Sequence, residues 1–303
     1  MEIWKRFGLV FVITFSLSVI CLVWFGAPSQ PSFAAAPIES PQVASRLPDG
    51  LAVLTSSVVY LPLMSNEQAC PTSSENAYAL VQLLENSPRP PYPDQFHADL
   101  NLAYRGYEPV TGAALALLVD PPVRSWPYST TKPLNAPKLS TLFNANPRPA
   151  IVSTDQVYDW DWSQSDGGSR AGLLDNWQTT LIGLENMAGD TIFLPSRATE
   201  IYTGGYKALV LYADETQLTV TYEHTDSVAI GYSIHLENLC VDANLLALYR
   251  SQIMTDGLRA TELLPGLQNG QPLGTSRGSP LKVATRYYGN FMDPRSAKDW
   301  WQR

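Results

Sequence analysis

The sequence predicts a mainly β protein: an antiparallel barrel or sandwich with two short helices and a long irregular N-terminal region. Three observations predict it. Apolar, β-branched segments recur from residue 178 onward, at 179–184, 191–194, 206–212, 217–222 and 228–236, and Gly204-Gly205, Asp214-Glu215 and Asp226-Ser227 punctuate them. Within Leu218-Thr219-Val220-Thr221-Tyr222 apolar and hydroxyl side chains alternate, as a half-buried antiparallel strand requires. Prolines at 109, 121, 122, 127, 133, 137, 147 and 149 leave room for short strands only between the N-terminal region and these segments.

The chain opens with an export signal. Lys5 and Arg6 precede an uncharged apolar run from Phe7 to Ala27, and Ser32-Phe33-Ala34-Ala35-Ala36 offers a small-residue cleavage site after Ala34. The run is also long enough to anchor the chain in a bilayer at ~1.5 Å per residue. Cleaved signal and membrane anchor are therefore both open for residues 1–36, and both place the remainder outside the cytoplasm, secreted or held at the cell surface. Residues 37–72 read as a Pro/Ser-rich tether and stalk, with an apolar, β-branched stretch from Leu51 to Leu63.

Ser73-Ser74-Glu75 ahead of Ala77, Leu80, Val81 and Leu84 has helical spacing behind a serine cap and predicts a helix at 75–86. An extended Pro88–Pro93 segment follows. The irregular region 73–190 holds a short apolar strand at Ala113–Val119 and a strand from Ile151 to Trp162. It is expected to pack on an antiparallel domain spanning 191–303. A second helix at 243–254 is capped by Asp242 and carries Leu245, Leu246, Leu248, Tyr249 and Ile253 on one face. A last strand covers Pro280–Arg286.

Of three cysteines, Cys21 lies in the leader, so Cys70 and Cys240 remain outside it. An oxidising compartment favours a bridge between them; two buried free thiols are the alternative. The net charge is −8, and Glu2, Lys5 and Arg6 together contribute +1, so the exported part is near −9. Such a charge argues against nucleic acid and against anionic lipid surfaces, leaving membrane contact to the N-terminal segment alone.

Several constellations bear on chemistry. The segment from Gly204 to Pro294 contains Gly231-Tyr232-Ser233-Ile234-His235-Leu236, then Gly270-Gln271-Pro272-Leu273-Gly274, Leu281-Lys282-Val283 and Asp293-Pro294. It resembles the C-terminal half of the M23 (lysostaphin-like) zinc metallopeptidase domain. The resemblance implies a small barrel-like sandwich of duplicated hybrid motifs, with 243–254 as an insertion. It also implies that His235 is the histidine assisting catalysis, with Tyr232 on the same strand as a binding residue. The zinc ligands do not carry over. Leu281-Lys282-Val283 stands where His-x-His is expected, and His97-Ala98-Asp99-Leu100-Asn101 offers His97 but has Asn101 at the aspartate position. A catalytic zinc needs about three protein ligands, so the resemblance implies a degenerate, non-catalytic member with no cofactor. His97 and Asp99 are left as weak candidates for a divalent ion.

Asp155, Asp159 and Asp161 interleave with Tyr158, Trp160 and Trp162. Alternation sets Asp159 and Asp161 on one face and the rings on the other. This is either a sugar platform or calcium site, or simply aromatics buried beneath solvated carboxylates. The tail Asp293–Trp301 mixes charges with Trp300-Trp301 and is expected to fold back with Arg295 paired to an acid; docking onto another envelope protein is the alternative. Nucleophile-elbow, phosphate-loop, Cys-x-x-Cys and His-Glu-x-x-His signatures are absent. The expected function is a non-catalytic surface protein that binds cell-wall glycan or peptide. An active zinc hydrolase and an envelope-assembly module are the alternatives.

Overall fold

The computed structural model describes residues 69–84, 92–124, 135–144, 148–165, 167–260 and 262–302. The leader, the tether to residue 68, the 51–63 stretch and most of the Pro88–Pro93 segment lie outside them. Residues 62–303 group as one compact unit.

The described elements, in chain order, begin with β1 (Ala79–Gln82), the one-turn helix α1 (Leu102–Arg105) and β2 (Tyr107–Pro109). Then come β3 (Ile151–Asp161), β4 (Ser169–Leu173), β5 (Leu181–Leu184), β6 (Thr191–Phe193), β7 (Tyr206–Ala213), β8 (Gln217–Thr221), β9 (Tyr232–Glu237) and β10 (Leu239–Val241). The helix α2 (Ala243–Arg250) leads to β11 (Leu263–Gln268), β12 (Pro272–Ser276), β13 (Leu281–Tyr287), β14 (Asn290–Met292) and the short α3 (Ala297–Trp300). The protein is mainly β, and its named strand pairs are antiparallel.

One large sheet runs β1-β11-β7-β8-β9-β13-β5-β3-β2, with β14 beside β13 and β4 beside β3. It draws strands from both sides of residue 190 and ends in open edges, so of the two expected forms, barrel and sandwich, it is not the closed one. A second sheet, β10-β12-β6, shares the main core through Leu239, Val241, Leu273 and Ile192, giving a sandwich-like arrangement. Asn238, in the left-handed region at φ 66°, carries the chain from β9 in one sheet to β10 in the other. Asparagine tolerates that conformation, and its side-chain amide donates to the carbonyls of Gly278 and Pro280 at 3.0 and 2.9 Å.

The large sheet has two unlike faces. Leu218, Val220, Ile234, Leu236, Leu281 and Val283 are buried in the main core. The alternate positions read Gln217-Glu237-Lys282, Thr219-His235-Ala284 and Thr221-Ser233-Arg286 across β8, β9 and β13. Residues 97–109 cover this polar face. Thr219 Oγ1 donates to the Leu100 carbonyl at 2.6 Å, Arg286 to that of Asp99 at 3.2 Å, and the Ala103 N–H to Gln217 Oε1 at 3.3 Å. Leu102, Val157, Leu181, Ala284 and Phe291 form a smaller second core beneath the cover.

Two expectations are corrected. Residues 79–82 form a strand on the edge of β11, not part of a helix. Val81 and Leu83 are buried and Leu84 is 78% exposed, a period of two. Ser74 donates to Asp242 instead of capping a helix, and the open edge of β11 takes the backbone bonds. Ala113–Val119 is not a strand: only Leu118 bridges, to Ser296, while Leu115 and Val119 are exposed. The helix after Asp242 forms as expected, with the aspartate accepting from the N–H groups of Asn244 and Leu245, and ends at Arg250.

Cys70 and Cys240 are joined, with Cα atoms 5.1 Å apart, tying the chain ahead of β1 to the small sheet. The tail folds back as expected. Arg295 and Asp293 form a fully buried pair through Nε–Oδ1 at 2.9 Å and Nη2–Oδ2 at 2.6 Å, and Trp300 and Trp301 are buried in the main core. Their indole N–H groups donate to the carbonyls of Asp293 and Pro294. A tail packed this way presents no free tryptophan pair for docking.

Candidate functional site

The predicted site residues separate into two places. His235 is buried on the polar face of β9. Its Nδ1 lies 2.8 Å from Thr219 Oγ1. Because that hydroxyl donates to the Leu100 carbonyl, the imidazole donates through Nδ1 and leaves Nε2 bare, with no hydrogen-bond partner. Burial holds the ring well below its ordinary pKa, reinforced by the Arg286 and Arg105 charges, so it is neutral. It stacks on Phe291 at 5.6 Å, and directly across β13 stands Ala284. A metal would find no second ligand there.

His97 and Asp99 also lie at this face, in the covering segment. The Asp99 carboxylate is shared by Arg105 at 2.8 Å and Arg286 at 2.9 Å, both buried, and these charges outweigh burial to hold its pKa below the usual range. Two guanidinium groups on one carboxylate repel a divalent cation. Among the described residues no group of three acidic, histidine or cysteine side chains is arranged to hold a metal. Asn101, at the position where the resemblance asks for an aspartate, instead caps α1 by accepting from the Tyr104 N–H.

Tyr232 points the other way. It is three residues from His235, an odd number along a strand, so it enters the main core. There it packs on Tyr287 at 4.7 Å and Trp300 at 6.0 Å, beneath the Arg197 guanidinium. It is 3% exposed and unavailable to a ligand, which corrects its place among the binding residues.

Asp159, Trp160 and Asp161 stand at the second place, the end of β3. Trp160 is itself nearly buried, with its indole N–H donating to the Gly167 carbonyl at 2.9 Å. It forms the centre of an unbroken chain of six rings. Tyr92 meets His97 at 5.5 Å, His97 meets Trp162 at 5.1 Å, and Trp162 meets Trp160 at 6.2 Å. Trp160 then meets Tyr104 at 5.4 Å, and Tyr104 meets Phe96 at 6.0 Å. Phe96, Trp162 and Tyr104 are 48%, 44% and 37% exposed, so three rings of this aromatic strip reach the surface on either side of the buried Trp160.

Two carboxylates alternate with Trp160 and Trp162 along the same strand end. Asp159 is exposed and sits 3.6 Å from Arg105. Asp161 accepts from the Ser163 hydroxyl and N–H and from the Gln164 amide, bonds that hold its carboxyl below the usual range. Beside Asp159 opens a cleft of about 330 Å³ lined by Arg105, Asp175, Asn176, Asn290 and Phe291. Rings in tilted and edge contact, on a strand end that also carries carboxylate acceptors, can hold a ring-shaped, hydroxyl-bearing ligand.

The sequence pointed to Trp160 and its aspartates but not to Tyr92, Phe96 and Tyr104, and it gave His97 a different role, as a metal candidate; the 92–104 segment brings all four alongside. Four rings within these thirteen residues were the available signal.

No known family model, curated protein or solved structure matches this chain.

Proposed function

We propose that the protein is a non-catalytic binding protein, secreted or anchored at the cell surface, whose domain recognises cell-wall glycan or its attached peptide through the aromatic strip at the end of β3. The observation that carries this reading is the run of six contacting rings with three of them exposed, on a strand end that also carries Asp159 and Asp161. Clustered exposed aromatics mark an interaction site. Aromatic faces suit the apolar face of a sugar ring, while ionised carboxylates accept from its hydroxyls. The non-catalytic half of the proposal rests on His235, which is buried, neutral and opposite Ala284. The resemblance to the M23 domain enters as kinship without the metal. Export rests on Lys5, Arg6 and the apolar run behind them.

Co-sedimentation with purified insoluble cell wall tests the proposal. The protein should pellet with the wall, Trp162→Ala should stay in solution while keeping its fold by circular dichroism, and added zinc should produce no wall solubilisation. Retention that ignores Trp162→Ala contradicts the site. Wall solubilisation that depends on His235 contradicts the non-catalytic reading.

A further inference from the structure

The polar face of the large sheet gathers four side chains that the aromatic strip does not use. Across β13, β5 and β3, Lys282 faces Gly183 and Gly183 faces Ser153, with Asp155 two residues further along the same face. Gly183 has no side chain, so the Lys282 stem crosses β5 and its Nζ rests on Asp155 Oδ2. The side chains of Asp155 and Lys282 are 4% and 17% exposed. Glu237 is buried and stands directly opposite Lys282 in the β9–β13 ladder. Tyr107 closes the group from β2: its hydroxyl donates to Glu237 Oε2 at 2.9 Å, and its ring centroid lies 5.1 Å from Lys282 Nζ. Glu237 Oε1 has no hydrogen-bond partner. The fold thus sets an amine against one carboxyl, with a second carboxyl beside them that has an oxygen to spare.

We infer that Lys282 and Asp155 join in an amide, an intramolecular isopeptide bond that the folded protein forms by itself, with Glu237 carrying the proton. The step needs no co-reactant. The Lys282 ammonium gives a proton to the Asp155 carboxylate that it touches, leaving a neutral amine and a neutral carboxyl. The amine lone pair attacks Asp155 Cγ and forms the C–N bond, while an electron pair of the C=O bond moves to oxygen. Glu237 takes a proton from the nitrogen and returns it to the Asp155 hydroxyl. The C=O bond re-forms, the C–O bond breaks with its electron pair, and water leaves. One hydrogen of the ammonium stays on the amide nitrogen and two depart in the water. Contact fixed by the fold favours the step, with effective molarities of about 10⁵ M or more. A charged pair held away from water is poorly solvated, and the amide removes both charges. Burial pushes the Glu237 carboxyl up to about 7, so it can both take and release a proton near neutral pH. Lys282, Tyr107 and Glu237 line a cleft of about 390 Å³ through which the water leaves. The bond fastens β3, whose end carries the aromatic strip, to β13, 127 positions further along the chain. It does not depend on what the strip binds.

The test is mass spectrometry of the wild-type protein after reduction of the Cys70–Cys240 bridge. The expected result is an intact mass lower by one water than the sequence requires. In the tryptic map the chain should stay uncut after Lys282, and the peptide holding Lys282 should be joined to the one holding Asp155. Lys282→Arg keeps the charge without the amine and supplies the reference at full mass. Cleavage after Lys282 with no branched peptide, as for an ion pair only, overturns the inference. Glu237→Gln, which keeps the acceptor for Tyr107, should form the bond about a hundredfold more slowly and show the full mass when freshly purified. A fully joined Glu237→Gln protein overturns the role given to Glu237. Should that variant fail to fold, the wild-type map still decides whether the bond exists.

Discussion

Glu237 makes folding stability depend on pH in a calculable way. Its carboxyl titrates at about 7 in the folded protein against an ordinary 4.5, chiefly because it is buried. Between those values the native state holds a proton that the unfolded chain has released, so stability falls as pH rises. At 1.36 kcal/mol per pH unit of pKa difference, the gap costs the wild type up to about 3 kcal/mol between pH 4.5 and pH 8. Glu237→Gln keeps the shape and the acceptor for Tyr107 but removes the ionisation. Urea unfolding of both proteins at half-unit pH steps isolates the effect, because His97 and His235, whose depressed pKa values push the other way in acid, contribute equally to both. The variant should gain on the wild type steadily through this range and plateau above pH 8. A difference that stays flat within about 0.5 kcal/mol, or that grows toward acid, refutes the buried, half-partnered carboxyl.

Asp293→Ala should strand the fully buried Arg295 charge and cost about 3–5 kcal/mol in the same unfolding assay; a loss under about 1 kcal/mol would mean that the tail packs without the pair. Cys70→Ser opens a loop of 170 residues, and loop-closure entropy puts the loss at about 5 kcal/mol, to be read from the denaturant midpoint under oxidising conditions. An unmoved midpoint would mean that the bridge does not form in solution. Gly274→Ala should cost about 1–3 kcal/mol, because a Cβ there would stand 1.9 Å from the Cys240 carbonyl oxygen at the junction of β10 and β12; wild-type stability in that variant would contradict the register.

The large sheet was legible where the sequence repeats with period two between turn residues, as in β8 and β9, and where an apolar run stands between turn signals, as in β7. Of the small sheet only β6 was, at 191–194. Its strands β10 and β12 are short, and Pro272 and Gly274 inside β12 look like turn residues. Residues 77–84 misled because their apolar positions satisfy both periods, and only the open edge of β11 decides between them. The tail was readable, since Trp300, Trp301 and Arg295 next to Asp293 have few stable places except a core. The polar face was not: Asp99 and Arg286 lie 187 positions apart, and a contact at that separation leaves no local pattern. Tyr232 could have been placed correctly, because odd spacing from His235 on one strand already sends the two to opposite faces. At the aromatic strip the β3 alternation pointed to Trp160 and its aspartates, while the neighbouring rings arrive by tertiary packing.

The most direct test of the binding account is a tryptophan-fluorescence titration with a soluble, uncross-linked cell-wall glycan fragment, on the wild type and Trp162→Ala side by side. Trp162 is exposed enough that its loss should leave stability within about 0.5 kcal/mol. The account predicts saturable quenching in the wild type and an affinity about tenfold weaker in the variant, equivalent to about 1.4 kcal/mol of lost stacking. Equal affinities in the two proteins, or no saturable change in the wild type, would contradict it.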